Sequence, residues 1–239
     1  LVAIRLLRAI KPSYAVDYVT RFGFDKMPPD LSLALGSAEL TPMELVTGYA
    51  TFANGGYKVE PYFIQRIESR SGETLFEEAP ATVCEICENV TLDEDDEPLD
   101  IMTLLEMEEL PPTNPAQRVV DAENIWILDS ILKDVIKRGT GRRARVLERG
   151  DLAGKTGTTN DQKDGWFSGY NGRVVATVWV GFDKEAPMGK RETGARAALP
   201  AWIDYMRVAL RDTKETQVAR PTGLITIRID PDTGLHVGA

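Results

Sequence analysis

Leu152-Ala153-Gly154-Lys155-Thr156-Gly157-Thr158, Gly165-Trp166-Phe167-Ser168-Gly169-Tyr170 and Val174-Val175-Ala176-Thr177-Val178-Trp179-Val180-Gly181-Phe182 are the stretches whose reading decides the fold. Each is short and rich in β-branched or aromatic residues, and Asn171-Gly172 between the last two is a hairpin turn signal, so the strands run antiparallel. The third is apolar enough to lie centrally in a sheet. On the near side, Asp121 starts a helical pattern that runs to Arg138, with Ile125, Leu128, Leu132 and Val135 on one stripe and Gly139 as its stop. On the far side, residues 195–210 read as a helix with Trp202, Tyr205, Met206 and Ala209 along one flank. Hairpin-linked strands bracketed by helices predict an α+β fold, an antiparallel sheet with helices packed on its faces.

Further out, residues 1–10 and 13–22 read as two short helices, the second stopped by Gly23. Thr41, Pro42 and Glu44 form a capping box with proline in the first turn, opening a helix that closes before Gly55-Gly56. Residues 57–70 and 73–76 flank Ser71-Gly72 as a hairpin, and residues 224–229 read as a last short strand. This divides the chain into a body, residues 1–212, and an extension, residues 213–239. No apolar run approaches the roughly 20 residues that cross a bilayer. A chain that starts on Leu1 inside an amphipathic helix is expected to begin within a longer domain, with any targeting or anchoring segment outside it.

The 239 residues are 43% hydrophobic and 27% charged, the composition of a globular domain, and carry a net charge of -9. That charge is uneven. Between Glu77 and Gln117 there are 13 acidic residues and no lysine or arginine, so the remainder carries +4. A nucleic-acid partner is therefore not indicated, and a mildly basic body tolerates an anionic polymer. The acidic run, with Pro98, Pro111-Pro112 and Pro115, reads as an insertion outside the core. Whether it contacts a partner protein is left open by the sequence. Cys84-x-x-Cys87 within it is a single pair, too few for a four-ligand zinc site, and no metal or organic cofactor is implied.

Chemistry concentrates at Lys155-Thr156-Gly157-Thr158-Thr159. On a strand, Lys155 and Gly157 share one face and Thr156 and Thr158 the other, unless the edge twists. A glycine beside a lysine, with two hydroxyls in reach, suits a strand edge that receives an acyl group and a carboxylate. K-T-G alone is a weak signal. It stands beside S-x-x-K and S-x-N as the motif set of serine β-lactamases and penicillin-binding proteins. Its neighbours extend the match: Lys137-Arg138-Gly139-Thr140-Gly141-Arg142-Arg143-Ala144, Asp164-Gly165-Trp166-Phe167-Ser168-Gly169-Tyr170, Val178-Trp179-Val180-Gly181-Phe182-Asp183, Gly36-Ser37-Ala38-Glu39-Leu40-Thr41-Pro42-Met43-Glu44-Leu45 and Tyr49-Ala50-Thr51-Phe52-Ala53-Asn54-Gly55-Gly56. In this order they resemble the transpeptidase domain of the class A, bifunctional penicillin-binding proteins.

That resemblance implies a cleft of three walls: a nucleophilic serine and its lysine, an S-x-N serine, and K-T-G. The first two are expected to precede this chain. Lys155 would bind substrate electrostatically and support proton transfer, Thr156 and Thr158 would hold a terminal carboxylate, and the Thr158 N–H would supply half an oxyanion hole. Gly157 and Thr159 would belong to the same substrate-binding stretch. The implied reaction is cross-linking of D-Ala-D-Ala stem peptides of peptidoglycan through a serine acyl-enzyme, which β-lactams also form. Implied partners are the N-terminal remainder of the same protein and cell-wall regulatory proteins, and the implied location is periplasmic, anchored to the inner membrane. A D,D-carboxypeptidase, a β-lactamase or a non-catalytic module of the same fold are the alternatives.

Three look-alikes need separating from this pattern. Ser130-Ile131-Leu132-Lys133 satisfies S-x-x-K, but the family sets its nucleophile far upstream of K-T-G, so Ser130 is expected to be an ordinary helix residue. Arg149-Gly150-Asp151-Leu152-Ala153-Gly154-Lys155-Thr156 has one residue too few between its glycines for a phosphate loop. Gly139-Thr140-Gly141-Arg142-Arg143-Ala144 follows a helix rather than a strand, which fails the geometry of a dinucleotide fingerprint, and it reads as a helix cap and loop.

Overall fold

The computed structural model describes residues 1–24, 27–84, 114–230 and 232–237. Two helices, α1 (Val2–Ile10) and α2 (Pro12–Val19), meet at Lys11, and a 3-10 turn over Thr20–Phe22 ends where Gly23 takes φ 90°. α3 (Pro42–Ala53) starts on the expected box: Thr41 Oγ1 accepts the Glu44 N–H at 3.2 Å, and the Glu44 carboxylate accepts the Thr41 N–H at 2.7 Å. The hairpin β1 (Arg66–Glu68) and β2 (Thr74–Glu77) is shorter than the sequence suggests, and all residues of its two strands are exposed. Tyr57, expected at its start, instead bridges to Arg118, buried beneath a guanidinium 4.2 Å from its ring centre.

Of the acidic segment 77–117, Glu77 belongs to β2, and the residues from Asn114 onward are tied to the body. Thr82 N donates to Asn114 O at 2.9 Å, Ala116 N to Thr82 O at 2.8 Å, and Lys58 N to Gln117 O at 2.9 Å. Residues 85–113, with Cys87, lie outside the described residues.

The helix α4 (Ala122–Lys137) buries Ile125, Asp129, Leu132 and Ile136, a stripe rotated from the expected one, on which Leu128 and Val135 are only half-buried. The unexpected member of the buried stripe is Asp129. Burial of a carboxylate is costly unless it is paired, and here Lys133 Nζ lies 2.7 Å from one oxygen while Tyr170 Oη donates to the other at 3.2 Å. A hydrophobicity pattern has no means of finding a buried acid whose partners sit on the same helix and on a distant strand.

Three strands follow, β3 (Ala153–Thr158), β4 (Gly165–Tyr170) and β5 (Val175–Val180), antiparallel in the order β3-β4-β5. Among the described strands the central one is thus β4, not the apolar β5. β4 is almost wholly buried, whereas β5 is half-buried along most of its length and forms one edge of the described sheet. The Asn171 turn also differs from a tight Asn-Gly hairpin. Gly172 keeps a negative φ, and the Asn171 side chain shapes the loop by accepting the N–H groups of Arg173 and Val174 at 3.0 and 2.9 Å.

The last helix, α5 (Gly194–Ala209), lays Ala198, Leu199, Trp202, Ile203 and Met206 against the sheet. Tyr205, expected on that flank, points to solvent at 56% exposure, and Ile203 takes its place. Trp202 is fully buried, edge-on to Phe167 at 4.8 Å, with its indole N–H on Ala176 O at 3.1 Å. The other sheet face packs Ala153 and Tyr170 on Leu132, Tyr49 and Phe52 from α4 and α3. Helices on both faces of an antiparallel sheet make the fold α+β.

Beyond α5 the chain returns to the body through Asp151. Its carboxylate receives Arg149 at 2.9 and 2.8 Å, Asn171 Nδ2 at 3.1 Å and the Thr216 N–H at 3.1 Å. Burial alone would raise this carboxyl, but the donors outweigh it and hold it below the usual carboxylate range. Residues 224–229 form no strand. The one pairing there is an isolated bridge from Ile229 to His236, and Ile225 and Ile227 stand exposed without a partner strand among the described residues.

Candidate active site

K-T-G lies where β3 emerges from the core. Ala153 and Gly154 are buried, and from Lys155 onward the strand becomes accessible. Register sets the faces. Lys155 pairs with Ser168 and Gly157 with Trp166, while Thr156 pairs with Phe167, whose ring packs on α5. Directly opposed residues share a face, so Lys155 and Gly157 lie on the α3 and α4 side and Thr156 and Thr158 on the α5 side, as strand alternation requires.

The backbone alternates too. Thr159 N donates to Asp164 O at 3.2 Å, towards β4. In an antiparallel ladder the neighbouring residue then turns its N–H and C=O outward, so Thr158 and Thr156 present theirs along the edge of β3 that no described strand covers. Lys155 Nζ donates to Thr156 O at 2.7 Å on that edge, which curls the ammonium along the strand beside the outward N–H groups. Nearby groups desolvate the ammonium and lower its pKa from the ordinary lysine value.

Both threonine hydroxyls are held. Thr158 Oγ1 accepts the Gly194 N–H at 3.1 Å, which leaves its own proton free to be donated. This contact requires glycine. A Cβ at Gly194 would sit 2.3 Å from both Gly157 O and Trp166 O, so any larger residue would lift the start of α5 off the site. Thr156 Oγ1 lies 2.7 Å from Thr140 Oγ1. Thr159 Oγ1 accepts the Asp164 N–H at 2.8 Å, and Asp164 Oδ1 accepts the Trp179 indole N–H at 2.8 Å, fixing the loop that leads out of β3.

Lys155, Thr156, Gly157, Thr158 and Thr159 therefore lie together on one accessible edge. Sequence reasoning missed Thr140, Gly194 and Asp164 as their supports. The glycines flanking Thr140 and the glycine opening α5 were the available signals. Ser130 is exposed on α4, and Lys133, its S-x-x-K companion, is engaged by Asp129. Replacing Ser130 with alanine in the complete protein is expected to leave covalent labelling by fluorescent penicillin unchanged. Lost labelling with an unaltered melting temperature would place the nucleophile in α4. The phosphate-loop look-alike is likewise occupied, with the Gly150 N–H bound to Glu215 Oε1 at 3.0 Å.

Comparison with known proteins agrees with this arrangement. Residues 2–189 match the penicillin binding protein transpeptidase domain family. The chain is 48% identical to penicillin-binding protein 1A of Pseudomonas aeruginosa, over 98% of this chain and 31% of that protein. It is 38% identical to penicillin-binding protein 1A of Vibrio cholerae, over 98% of this chain and 30% of that protein. The crystal structure of penicillin-binding protein 1A from Haemophilus influenzae superposes with a TM-score of 0.85 at 33% identity, covering 100% of this chain and 37% of that one. The chain thus spans about a third of the length of these relatives. With a family match over most of its length and K-T-G on an accessible sheet edge, this chain belongs to the penicillin-binding protein transpeptidase domain family.

Proposed function

We propose that this chain is the K-T-G-bearing part of a serine D,D-transpeptidase that cross-links peptidoglycan stem peptides and is acylated by β-lactams. The observation that carries the reading is the accessible β3 edge, where an ammonium, a bare glycine and two hydroxyl-bearing residues follow one another on a rigid strand. In this reading a serine outside the chain attacks the penultimate D-Ala carbonyl carbon, and its proton passes through a basic group to the departing D-Ala amine. The oxyanion meets the Thr158 N–H and the serine's own N–H, Lys155 and the threonine hydroxyls meet the terminal carboxylate, and Gly157 lets the peptide approach the backbone. An amine from a neighbouring strand then takes the acyl group and restores the serine. Residues 1–212 serve as the body of this domain and residues 213–239 as an extension of it.

The complete protein is proposed to carry a glycosyltransferase and a membrane anchor as well, with this domain in the periplasm. Among the described residues no helix is long and apolar enough to cross a membrane. The test is to incubate the complete protein with lipid-linked polymer and separate the released peptides. Cross-linked dimers support the transpeptidase, whereas trimmed monomers alone would point to a D,D-carboxypeptidase.

The pKa of Lys155 adds a pH prediction. Desolvation lowers it, so the neutral amine is populated at a lower pH than for a free lysine. If the ammonium is the active form, acylation by penicillin falls as pH rises through that lowered pKa. Lys155→Arg, always charged, should move the fall to higher pH. An alkaline limb identical in both proteins would exclude Lys155 as its source.

A further inference from the structure

The Thr140–Thr156 hydroxyl pair is a contact that the roles assigned to K-T-G do not use. α4 ends in a tight wrap: Gly139 N reaches Asp134 O and Val135 O at 3.0 and 3.1 Å, and Gly141 N reaches Val135 O at 2.9 Å. A Cβ on Gly139 would lie 2.8 Å from Val135 Cα and 2.9 Å from Val135 O, so the wrap closes only with glycine there. Its effect is to hold Thr140 at the tip of the turn, against β3, with its hydroxyl 2.7 Å from that of Thr156. On the other side, Gly141 lies close to Phe167, the residue paired with Thr156 across the sheet.

A hydroxyl has one proton to donate and two lone pairs with which to accept. Without a neighbour, Thr156 can spend its proton on any acceptor within reach. With Thr140 donating to it, Thr156 accepts on one side, and its single proton is left for a ligand oxygen, polarised by the bond it receives. This mirrors Thr158, whose oxygen accepts the Gly194 N–H and whose proton is likewise free. With Thr140 as the donor of its pair, which the 2.7 Å contact allows in either direction, two hydroxyls on the same face of β3 each accept a bond from behind and form a paired donor site for a carboxylate.

We propose that Thr140 is a positioning residue that orients the Thr156 hydroxyl as a donor to the substrate carboxylate, and so sets the preference of the site for a free acid over its ester. This rests on the reading of Thr156 as a carboxylate contact, and the experiment separates the two. Acylation rate constants of the complete protein are measured with benzylpenicillin and with its methyl ester, for wild type, Thr156→Val, Thr140→Val and Thr140→Ser, with melting temperatures recorded for each. Wild type should favour the acid, and Thr156→Val should erase that preference. Thr140→Val should slow the acid by about fivefold to tenfold, the worth of one hydrogen bond to a charged group's donor. The ester should change less than about twofold, and Thr140→Ser should recover most of the acid rate. A packing role would instead slow acid and ester together, with no recovery by serine, and would overturn the proposal. A preference kept in Thr140→Val but lost in Thr156→Val would overturn the role of Thr140 alone. A preference kept in Thr156→Val would overturn the carboxylate reading and the role of Thr140 with it.

Discussion

Replacing Lys155 with alanine in the complete protein is expected to slow acylation by penicillin by about a hundredfold or more while the fold persists. Removing one preorganised charge contact at a reacting centre typically costs that much, because no water or neighbour is already oriented to take its place. The ammonium is held along the β3 edge by its bond to Thr156 O, close to the outward N–H groups of that edge. The groups that hold the two threonines are the Thr140 hydroxyl and the Gly194 N–H, neither of them charged, so the charge has no replacement among them. Stability should change little, since Lys155 is exposed and its side chain packs no core. Thr158→Val should do less harm than Lys155→Ala, because it deletes a hydroxyl and keeps the backbone N–H. The measurement is the second-order acylation constant of each variant beside its melting curve. A Lys155→Ala protein acylated at the wild-type rate would remove K-T-G from the reacting centre.

The second large effect is on stability. Trp202→Ala should cost about 3–5 kcal/mol, the range for deleting a large buried aromatic. Trp202 is fully buried, fills the space between α5 and the sheet, meets Phe167 edge-on at 4.8 Å and satisfies Ala176 O. Its removal opens a cavity directly behind β4, on which β3 and K-T-G rest. The denaturant midpoint of the complete protein reports the loss, and penicillin labelling should fall in parallel with the folded fraction. Trp179, 37% exposed at the sheet margin, provides the control, and its replacement with alanine should cost much less. Equal losses from the two tryptophans would mean that α5 does not carry the core as described.

The chain's local chemistry was legible wherever a structural choice depends on a few neighbouring residues. Thr41 and Glu44 cap α3 as a reciprocal box, Gly23 turns left-handed at the end of a 3-10 turn, and β3, β4 and β5 start within a residue of where alternation and turn residues put them. K-T-G could be read for the same reason: strand periodicity alone separates Lys155 and Gly157 from Thr156 and Thr158. The linked motifs around it then tied the chain to a family, because each fixes a different turn or strand and their order is hard to match by chance.

What the sequence could not determine were properties that depend on distant groups meeting. Composition made β5 look central, yet position in a sheet follows from pairing, and among the described strands β4 is the one with partners on both sides. The buried face of α4 turned on Asp129, an acid that can be buried only because Tyr170, 41 residues away, donates to it and Lys133 neutralises it. Residues 224–229 have strand-like composition but, beyond the isolated Ile229–His236 bridge, no partner strand among the described residues, and a strand without a ladder leaves its backbone to water. At the proposed site, the strand period sorted Lys155, Thr156 and Thr158 onto their faces, while their roles came from the resemblance to a family. Only the tertiary fold brought the tip of α4 and the start of α5 against them, because hydroxyl direction is decided by which donor stands 3 Å behind it.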